Sequence, residues 1–185
     1  EMTFTVERRT IQLTVAEGRM LPGKIGLVTI ANFDSRCAEE SIAAIEKLVA
    51  EGATSLIFDV RYNPGGYAHE LVALLDYLLP EGPLFRSVEG TGKEQVDSSD
   101  ADFLDMPMAV LVNGNSYSAA EFFAAALEEY DKAITVGEPT TGKGYFQNTI
   151  PLPDGSAVNL SIGKYYTPNR VSLSDVGGLV PQYAA

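Results

Sequence analysis

Two residues of this chain, Ser118 and Lys143, are of types that can serve as a nucleophile and a base. Ser118 follows the apolar run 108–112 and the turn sequence Asn113-Gly-Asn115, and an apolar helical stripe comes after it. This order predicts a buried strand, a tight turn and a helix that begins at Ser118. A hydroxyl at such a junction lies beside free NH groups and the positive end of the helix dipole, which can stabilise an oxyanion.

The same serine also has a purely structural interpretation. Ser118-Ala-Ala-Glu121 matches the capping box, in which the glutamate reaches back to the NH group of the capping residue. This segment alone favours the cap, so the choice between cap and nucleophile depends on the residues downstream.

Lys143 lies between two glycines in Gly137-Glu-Pro-Thr-Thr-Gly-Lys-Gly144, which approaches the phosphate-binding loop pattern. Gly144 stands where that loop needs Ser or Thr, and the following residues 145–151 favour a strand instead of the required helix. Nucleotide binding is therefore disfavoured. The alternatives are a surface lysine and a catalytic base, and a lysine acts as a base only when neutral, which requires a pKa lowered from about 10.4 toward 7 or 8.

Three further features have a functional and an ordinary interpretation. His69 is the single histidine, so a Ser-His-acid triad would need it, although a histidine in the first turn of a helix usually faces solvent. Cys37 is the single cysteine, and its default role is that of a small apolar side chain. The acidic run 97–102 predicts a solvated surface in preference to a metal site.

Length and composition predict one soluble globular domain. The chain has 185 residues, of which 45% are hydrophobic and 21% charged. A formal net charge of -12 without a cluster of Lys or Arg argues against nucleic acid as a partner. No apolar run is long enough to span a membrane, so stable membrane insertion of this segment is not expected.

Hydrophobic periodicity predicts an α/β fold. A strand over residues 24–33, a helix capped by Asp34 or Ser35 and a strand over residues 55–60 form a parallel crossover unit. We also expect one or two exposed strands in residues 4–13, a connector at 18–23 and a polar surface loop with a fraying strand at 84–103. Residues 147–152 and 157–166 predict a hairpin around the turn Pro153-Asp-Gly155.

Taken together, three motifs resemble the C-terminal processing (tail-specific) serine peptidases. They are Val112-Asn113 with Ser118-Ala-Ala-Glu121, then Gly142-Lys-Gly-Tyr-Phe-Gln147, and upstream Phe58-Asp-Val-Arg-Tyr-Asn-Pro-Gly-Gly66. Lys143 follows Ser118 by 25 positions, as in the family. Ala120 stands where the family more often has Ser, but that position is not the nucleophile. The resemblance covers about residues 24–182.

The resemblance implies a role for each motif. Ser118 would be the nucleophile, Lys143 the general base and Gln147 a helper that orients the lysine. The NH group of Ala119 would form an oxyanion hole with that of Gly65 or Gly66. The sequence leaves open which of the two glycines takes part.

The resemblance also implies architecture and activity. We expect a crotonase- and Clp-peptidase-like core of stacked strand-strand-helix units with a C-terminal β-hairpin, spanning residues 21–185. Residues 1–20 would be the remnant of a preceding PDZ-like domain and a connector. The activity would be hydrolysis of peptide bonds in flexible or C-terminal segments of protein or peptide substrates, through an acyl-enzyme and without metal or other cofactor.

Two alternatives on related scaffolds stay open at this point. One is a non-catalytic binding module, such as the related retinoid-binding proteins of the eye, and the other is an acyl-CoA enzyme of the crotonase class. Family resemblance alone implies a location outside the cytoplasm, in the bacterial envelope, the periplasm or secreted. A homo-oligomer is possible.

Overall fold

Strands and helices alternate from Ala16 onward in the computed structural model, which describes Met2, residues 4–9 and residues 11–185. The strands are β1 Ala16–Leu21, β2 Ile25–Ile30, β3 Ser55–Asp59, β4 Gly82–Glu89, β5 Glu94–Ser99, β6 Met108–Val112, β7 Ala133–Gly137, β8 Tyr145–Pro151, β9 Ala157–Tyr166 and β10 Tyr183–Ala184. The helices are α1 Cys37–Ala50, α2 Ala68–Leu78, α3 Ala119–Glu129 and α4 Leu173–Val176.

The larger sheet of the described chain has the strand order β1-β2-β3-β6-β7-β10. β1 is antiparallel to β2, and the pairs from β2 to β10 are parallel. The predicted crossover from residue 24 to residue 60 is therefore confirmed, with α1 connecting β2 to β3. Parallel strands present their carboxyl ends at one edge of the sheet, and the turns that follow β3 and β6 consequently meet there.

Apolar side chains from both sheets and from all four described helices form one core. Phe58 of β3 and Phe123 of α3 are fully buried, and their rings meet edge to face with centroids 5.2 Å apart. The run of residues 122–127 is buried on every side, so α3 is a central helix and not a surface one. Because Ser118 begins this helix, the core holds it in place.

The second sheet has the order β5-β4-β9-β8, with antiparallel pairs throughout. The predicted hairpin around residues 153–155 is confirmed as β8 and β9. Residues 147–162 of this hairpin are exposed on both faces, and we call them the hairpin arm.

The structure corrects three local expectations in the first 103 residues. The described residues between 4 and 13 form no strand, and Thr10 lies outside the described residues. The connector predicted at 18–23 is a strand as far as Leu21, because its backbone pairs along its whole length with β2. The loop predicted at 84–103 contains β4 and β5, since one face of this polar hairpin packs on the core. The derivation of residues 1–20 from a PDZ-like domain stays a prediction.

The predicted cap of α1 at Asp34 or Ser35 is also wrong. Arg36 is the N-cap residue, with φ 75° and no side-chain cap of its own. The carboxylate of Glu70 in α2 instead accepts the NH groups of Arg36 at 2.8 Å and Ala38 at 2.9 Å. A residue of a neighbouring helix thus satisfies NH groups that a local side chain was expected to bind.

Candidate active site

Ser118 occupies a strained backbone conformation at the junction of β6 and α3. Its φ is 52° and its ψ is -118°, a region that non-glycine residues rarely adopt. Such strain persists only where the surrounding structure enforces it, and it concentrates at functional sites. A sharp strand-to-helix turn of this kind also displays the nucleophilic serine in α/β-hydrolases, so the conformation favours the nucleophile over a simple cap.

Asn63 fastens the turn after β3 to the turn after β6. Its side chain is fully buried, donates to the carbonyl of Ile30 at 2.8 Å and accepts the NH group of Gly65 at 2.8 Å. Its own carbonyl accepts the NH group of Tyr117 at 2.9 Å. Tyr117, the residue before Ser118, is therefore tied directly to the glycine-containing turn.

Gly65 lets the two turns approach each other at van der Waals distance. Its φ is 89°, and a Cβ atom there would lie 2.8 Å from the carbonyl oxygen of Tyr117 and 2.9 Å from the Cβ of Ser118. Any side chain would push the turns apart, so the position requires glycine for space as well as for conformation.

The two candidate glycines differ in what their NH groups bind. The NH group of Gly65 is occupied by the Asn63 side chain. Within the described chain, the NH groups of Gly66 and Ala119 donate to no protein acceptor. Gly66 lines a small pocket together with Ser118 and Ala119, so the residues of both free donors lie beside the candidate nucleophile. Free, fixed NH groups at a nucleophile are the arrangement that stabilises an oxyanion.

Glu121 links the Ser118 turn to the loop that carries Lys143. Its fully buried carboxylate accepts the NH group of Ser118 at 2.8 Å, as the capping box predicts. The same carboxylate accepts the hydroxyl of Thr140 and the NH group of Gly142, both at 2.6 Å, and the NH group of Lys143 at 2.8 Å. Four donors on one buried carboxylate make it the central tie of the site.

This shared carboxylate brings the backbones of Ser118 and Lys143 close together. Both NH groups bind the same oxygen, Oε2 of Glu121, so their nitrogens are separated by at most the sum of the two distances, 5.6 Å. The lysine has a flexible four-carbon stem that can span such a separation.

Within the described chain, the side chains of Lys143 and Gln147 make no hydrogen bond to Ser118. Both residues are exposed, and within the described chain neither side chain makes a hydrogen bond. Gln147 lies at the base of the hairpin arm, one residue after the irregularity in the pairing of β8 with β9. Catalytic contacts often tighten only when substrate is bound, so this arrangement leaves the assignment of Lys143 open.

His69 lies at the start of α2 with its side chain 74% exposed. The ring stacks on that of Tyr67, with centroids 5.3 Å apart, and its Nε2 lies 3.6 Å from Oε1 of Glu70. Within the described residues it makes no hydrogen bond to Ser118, and this surface position is typical of a solvent-facing histidine.

A small pocket lies beside Ser118, and its volume of about 10 Å³ is close to that of one water molecule. Its wall is largely apolar and is formed by Gly66, Ala68, Leu71, Phe85, Ala119, Phe122 and Tyr165. Burial raises the pKa of Tyr165. The pocket therefore offers a small, mainly apolar space beside Ser118.

An ion pair flanks the other side of the turn. Arg61 donates to both carboxylate oxygens of Asp59, at 2.9 Å and 2.6 Å. Partial burial raises the pKa of Asp59, but the hydrogen bonds from Arg61 outweigh that effect and leave the pKa lowered overall.

Cys37 and the acidic residues of the described chain add no further reactive group. At Cys37 burial raises the thiol pKa to about 12, so this cysteine is a packed thiol rather than a nucleophile. No three His, Cys, Asp or Glu residues of the described chain could together hold a metal ion.

Sequence reasoning assigned no role to Asn63 or Thr140 and gave Glu121 only the role of a cap. All three are polar and buried, and their partners lie far away in the chain: Thr140 is 19 residues from Glu121. The one available signal was the position of Asn63 inside the motif that ends in two glycines. Local patterns report caps but not partners in distant loops, so these contacts required the structure.

Comparison with known proteins shows which protein family this chain is similar to. The model of the family described as Peptidase family S41 matches residues 24–185. The carboxyl-terminal-processing protease of Synechocystis sp. (strain ATCC 27184 / PCC 6803 / Kazusa) is 31% identical over 179 residues, which cover 94% of this chain and 42% of that protein. Carboxyl-terminal-processing peptidase 2, chloroplastic, of Arabidopsis thaliana is 31% identical over 185 residues, 95% of this chain and 36% of that protein.

A solved structure, the photosystem II D1 C-terminal processing protease, has a TM-score of 0.85 at 28% identity. The similarity covers 96% of this chain and 50% of that one, and it confirms the predicted α/β core. The chain spans less than half the length of these curated relatives, which include bacterial and chloroplast proteins. None of the helices described is long and apolar enough to cross a membrane.

Proposed function

The chain belongs to peptidase family S41, and on this basis we propose that it is a serine endopeptidase of the C-terminal processing type. It hydrolyses peptide bonds in flexible or C-terminal segments of proteins. Ser118 is the nucleophile, Lys143 the general base, and Gln147 orients the lysine.

The proposed reaction proceeds through an ester on Ser118. The Oγ atom adds to the scissile carbonyl carbon while its proton passes to the neutral Nζ of Lys143. The resulting ammonium protonates the leaving amine as the carbon–nitrogen bond breaks, which leaves the acyl-enzyme. Water, deprotonated by the same lysine, then attacks the ester and releases the acid and Ser118.

The single observation that carries this proposal is the shared carboxylate of Glu121. It keeps the backbone nitrogens of Ser118 and Lys143 within 5.6 Å, and this supports the proposal because the flexible lysine side chain is long enough to span that separation. The exposed lysine has solvent-side room to rotate. Substrate lying over the turn would exclude water from the amine and favour its neutral form.

We assign the oxyanion hole to the NH groups of Gly66 and Ala119. The NH group of Gly65 already binds Asn63, and breaking that bond would loosen the turn that supports the site. Gly65 therefore serves by its close approach to Ser118, and Gly66 supplies the donor.

The proposal extends to partners and location. Substrates are proteins or peptides, and the acidic chain does not bind nucleic acid. The reaction uses neither a metal nor an organic cofactor. Since the relatives are bacterial and chloroplast processing proteins, we place the parent protein outside the cytoplasm or in an equivalent lumen.

The test is cleavage of a fluorescent, unstructured reporter protein by the 185-residue chain and by its variants. Ser118→Ala and Lys143→Ala should each lower kcat/KM by about 10³-fold or more, because residues that act as a unit fail together. The exposed residues Ser35 and Lys47 provide matched controls, and Ser35→Ala and Lys47→Ala should retain full activity. Circular dichroism shows whether each variant remains folded.

Three outcomes would contradict the proposal. A folded Lys143→Ala variant with full activity would remove the lysine from the mechanism, and loss of activity in His69→Ala would restore the triad. Hydrolysis of a CoA thioester with no cleavage of the reporter would instead favour the acyl-CoA alternative.

A further inference from the structure

A second cleft adjoins the small pocket beside Ser118. It has a volume of about 250 Å³, and five of its lining residues are Phe85, Glu89, Asp97, Phe146 and Tyr165; we call it the inner cleft. This volume is below the range of about 300–1,000 Å³ typical of sites for whole small ligands. It fits one long side chain better than a complete ligand.

The inner cleft adjoins the site of the proposed nucleophile. Ala68, Phe85 and Tyr165 line both the pocket that contains Ser118 and the inner cleft. A peptide whose scissile bond lies on Ser118 would therefore place neighbouring residues near the cleft. The cleft is a candidate site for recognition of a substrate side chain.

The pairing of the second sheet explains why these side chains face the same way. Gly163 is paired with Glu89 on one side and with Phe146 on the other, and Asp97 is paired with Phe85. Directly paired residues in antiparallel strands project from the same face of the sheet. Aromatic rings and carboxylates consequently meet on the face turned toward α3.

The floor of the inner cleft is aromatic and fixed. The ring of Phe146 stacks on that of Tyr165, with centroids 4.9 Å apart and planes at 25°. The Phe146 ring lies directly over Gly163, so a Cβ atom at this glycine would clash with the ring. The ring of Tyr165 in turn packs against that of Phe85, with centroids 4.7 Å apart. The floor is thus a continuous set of aromatic faces that begins three residues after Lys143.

The rim of the inner cleft is predominantly acidic. Asp97 is half-buried and accepts one hydrogen bond, from Gln95 at 3.0 Å. Glu89 is exposed and accepts one from Thr91 at 3.2 Å. Each carboxylate keeps acceptor capacity for a further donor. Lys93 also lines the cleft and opposes part of this charge, which leaves a net negative rim.

We propose that the inner cleft receives a long cationic side chain of the substrate, arginine before lysine, close to the scissile bond. The inference rests on the proposed function. A guanidinium plane stacks well on aromatic faces and donates in pairs to carboxylates, and its stem covers apolar surface. The net charge of -12 also favours the approach of basic segments.

The experiment measures binding and cleavage of short unstructured peptides. In one series a single Arg moves one position at a time, and in the matched series Met takes its place. Dissociation constants are measured by fluorescence anisotropy with the Ser118→Ala variant, and kcat/KM with the unmodified chain. At one position the Arg peptide should bind about threefold to tenfold more tightly than its Met counterpart.

Variants of the cleft locate the effect. Asp97→Asn and Phe146→Ala should each lower the Arg-to-Met ratio at that position to within about twofold of unity. Asp97→Asn keeps the shape of the cleft, so binding of the Met peptides should change little in that variant. Lys93→Gln should raise the ratio, because it removes the opposing charge. Glu17→Gln, an exposed residue of β1, removes the same charge as Asp97→Asn at a distance and should leave the ratio unchanged.

Each failure has its own signature. Equal binding of Arg and Met peptides at every position, or an Arg preference that survives Asp97→Asn and Phe146→Ala together, overturns the inference. Binding is measured without turnover, so these outcomes are decisive even if no peptide is cleaved. Absence of cleavage that depends on Ser118 overturns the proposed function instead.

Discussion

The turn that carries Ser118 and the hairpin arm that carries Gln147 differ sharply in how the chain supports them. Around Ser118 the polar groups of Asn63 and Glu121 are fully buried and hydrogen-bonded. Along the arm, residues 147–162 are exposed on both faces and depend on their own ladder of strand pairing. The core determines the first region, and the second contacts little beyond itself.

The contrast indicates where preorganisation ends in this site. Buried contacts fix the backbone around Ser118, the proposed nucleophile, and around the NH groups of Gly66 and Ala119, the proposed oxyanion donors. Lys143 has a fixed backbone, through Glu121, but an exposed side chain. Under the proposed mechanism, preorganisation therefore extends to the backbone of the lysine but not to its amine.

The largest effect that tests this comparison is expected at Glu121. Glu121→Ala leaves four buried or half-buried donors without their acceptor and separates the Ser118 turn from the Lys143 loop. We expect the free energy of unfolding to fall by about 4 kcal/mol. Urea denaturation measures this loss, and Glu46→Ala, an exposed glutamate of α1, should change stability by less than about 0.5 kcal/mol.

Glu121→Gln distinguishes loss of shape from loss of acceptors. The amide keeps the volume and one acceptor oxygen but replaces the other with a donor, so the variant should be less destabilised than Glu121→Ala and still be strongly impaired in cleavage. A Glu121→Ala variant as stable as the original chain would show that the two halves of the site are held together by other contacts.

An intermediate effect is expected at Asn63, which acts within the Ser118 turn alone. Asn63→Ala leaves the carbonyl of Ile30 and the NH group of Gly65 unsatisfied and should cost about 2–3 kcal/mol of unfolding free energy. It should also slow the reaction of Ser118 with a fluorophosphonate, measured by mass spectrometry, because Gly65 can then move. Asn159→Ala on the hairpin arm is the matched control, and equal stability losses for the two variants would abolish the distinction between the regions.

The sequence predicted this site unevenly, and the reasons are physical. The strand, turn and helix around Ser118 have strong local patterns, and the hairpin has a turn with a definite chemistry. The pattern of residues 84–103 predicts a loop in place of the hairpin β4–β5, because a polar hairpin with one covered face has no continuous apolar run. The choice between Gly65 and Gly66 as the proposed oxyanion donor depends on the hydrogen bond that the Asn63 side chain accepts from Gly65. The second role of Glu121 depends on donors in a loop that lies 21 residues away in the sequence. Contacts of this kind follow from tertiary packing, which local patterns do not encode.

The smallest effect on stability, and the sharpest test of the comparison, is expected at Gln147. Its side chain is exposed and makes no hydrogen bond within the described chain, so Gln147→Ala should change the free energy of unfolding by less than about 0.5 kcal/mol. If it orients Lys143 in the substrate complex, the same variant should lower kcat by about tenfold with little change in KM.

The neighbouring residue Asn148 provides the control for this prediction. It is equally exposed but projects from the opposite face of β8, so Asn148→Ala should affect neither stability nor kcat. A stability loss above about 1 kcal/mol in Gln147→Ala would mean that the arm is integrated into the core. Unchanged kcat would remove Gln147 from the mechanism and leave the orientation of the lysine to the substrate and to the backbone contact with Glu121.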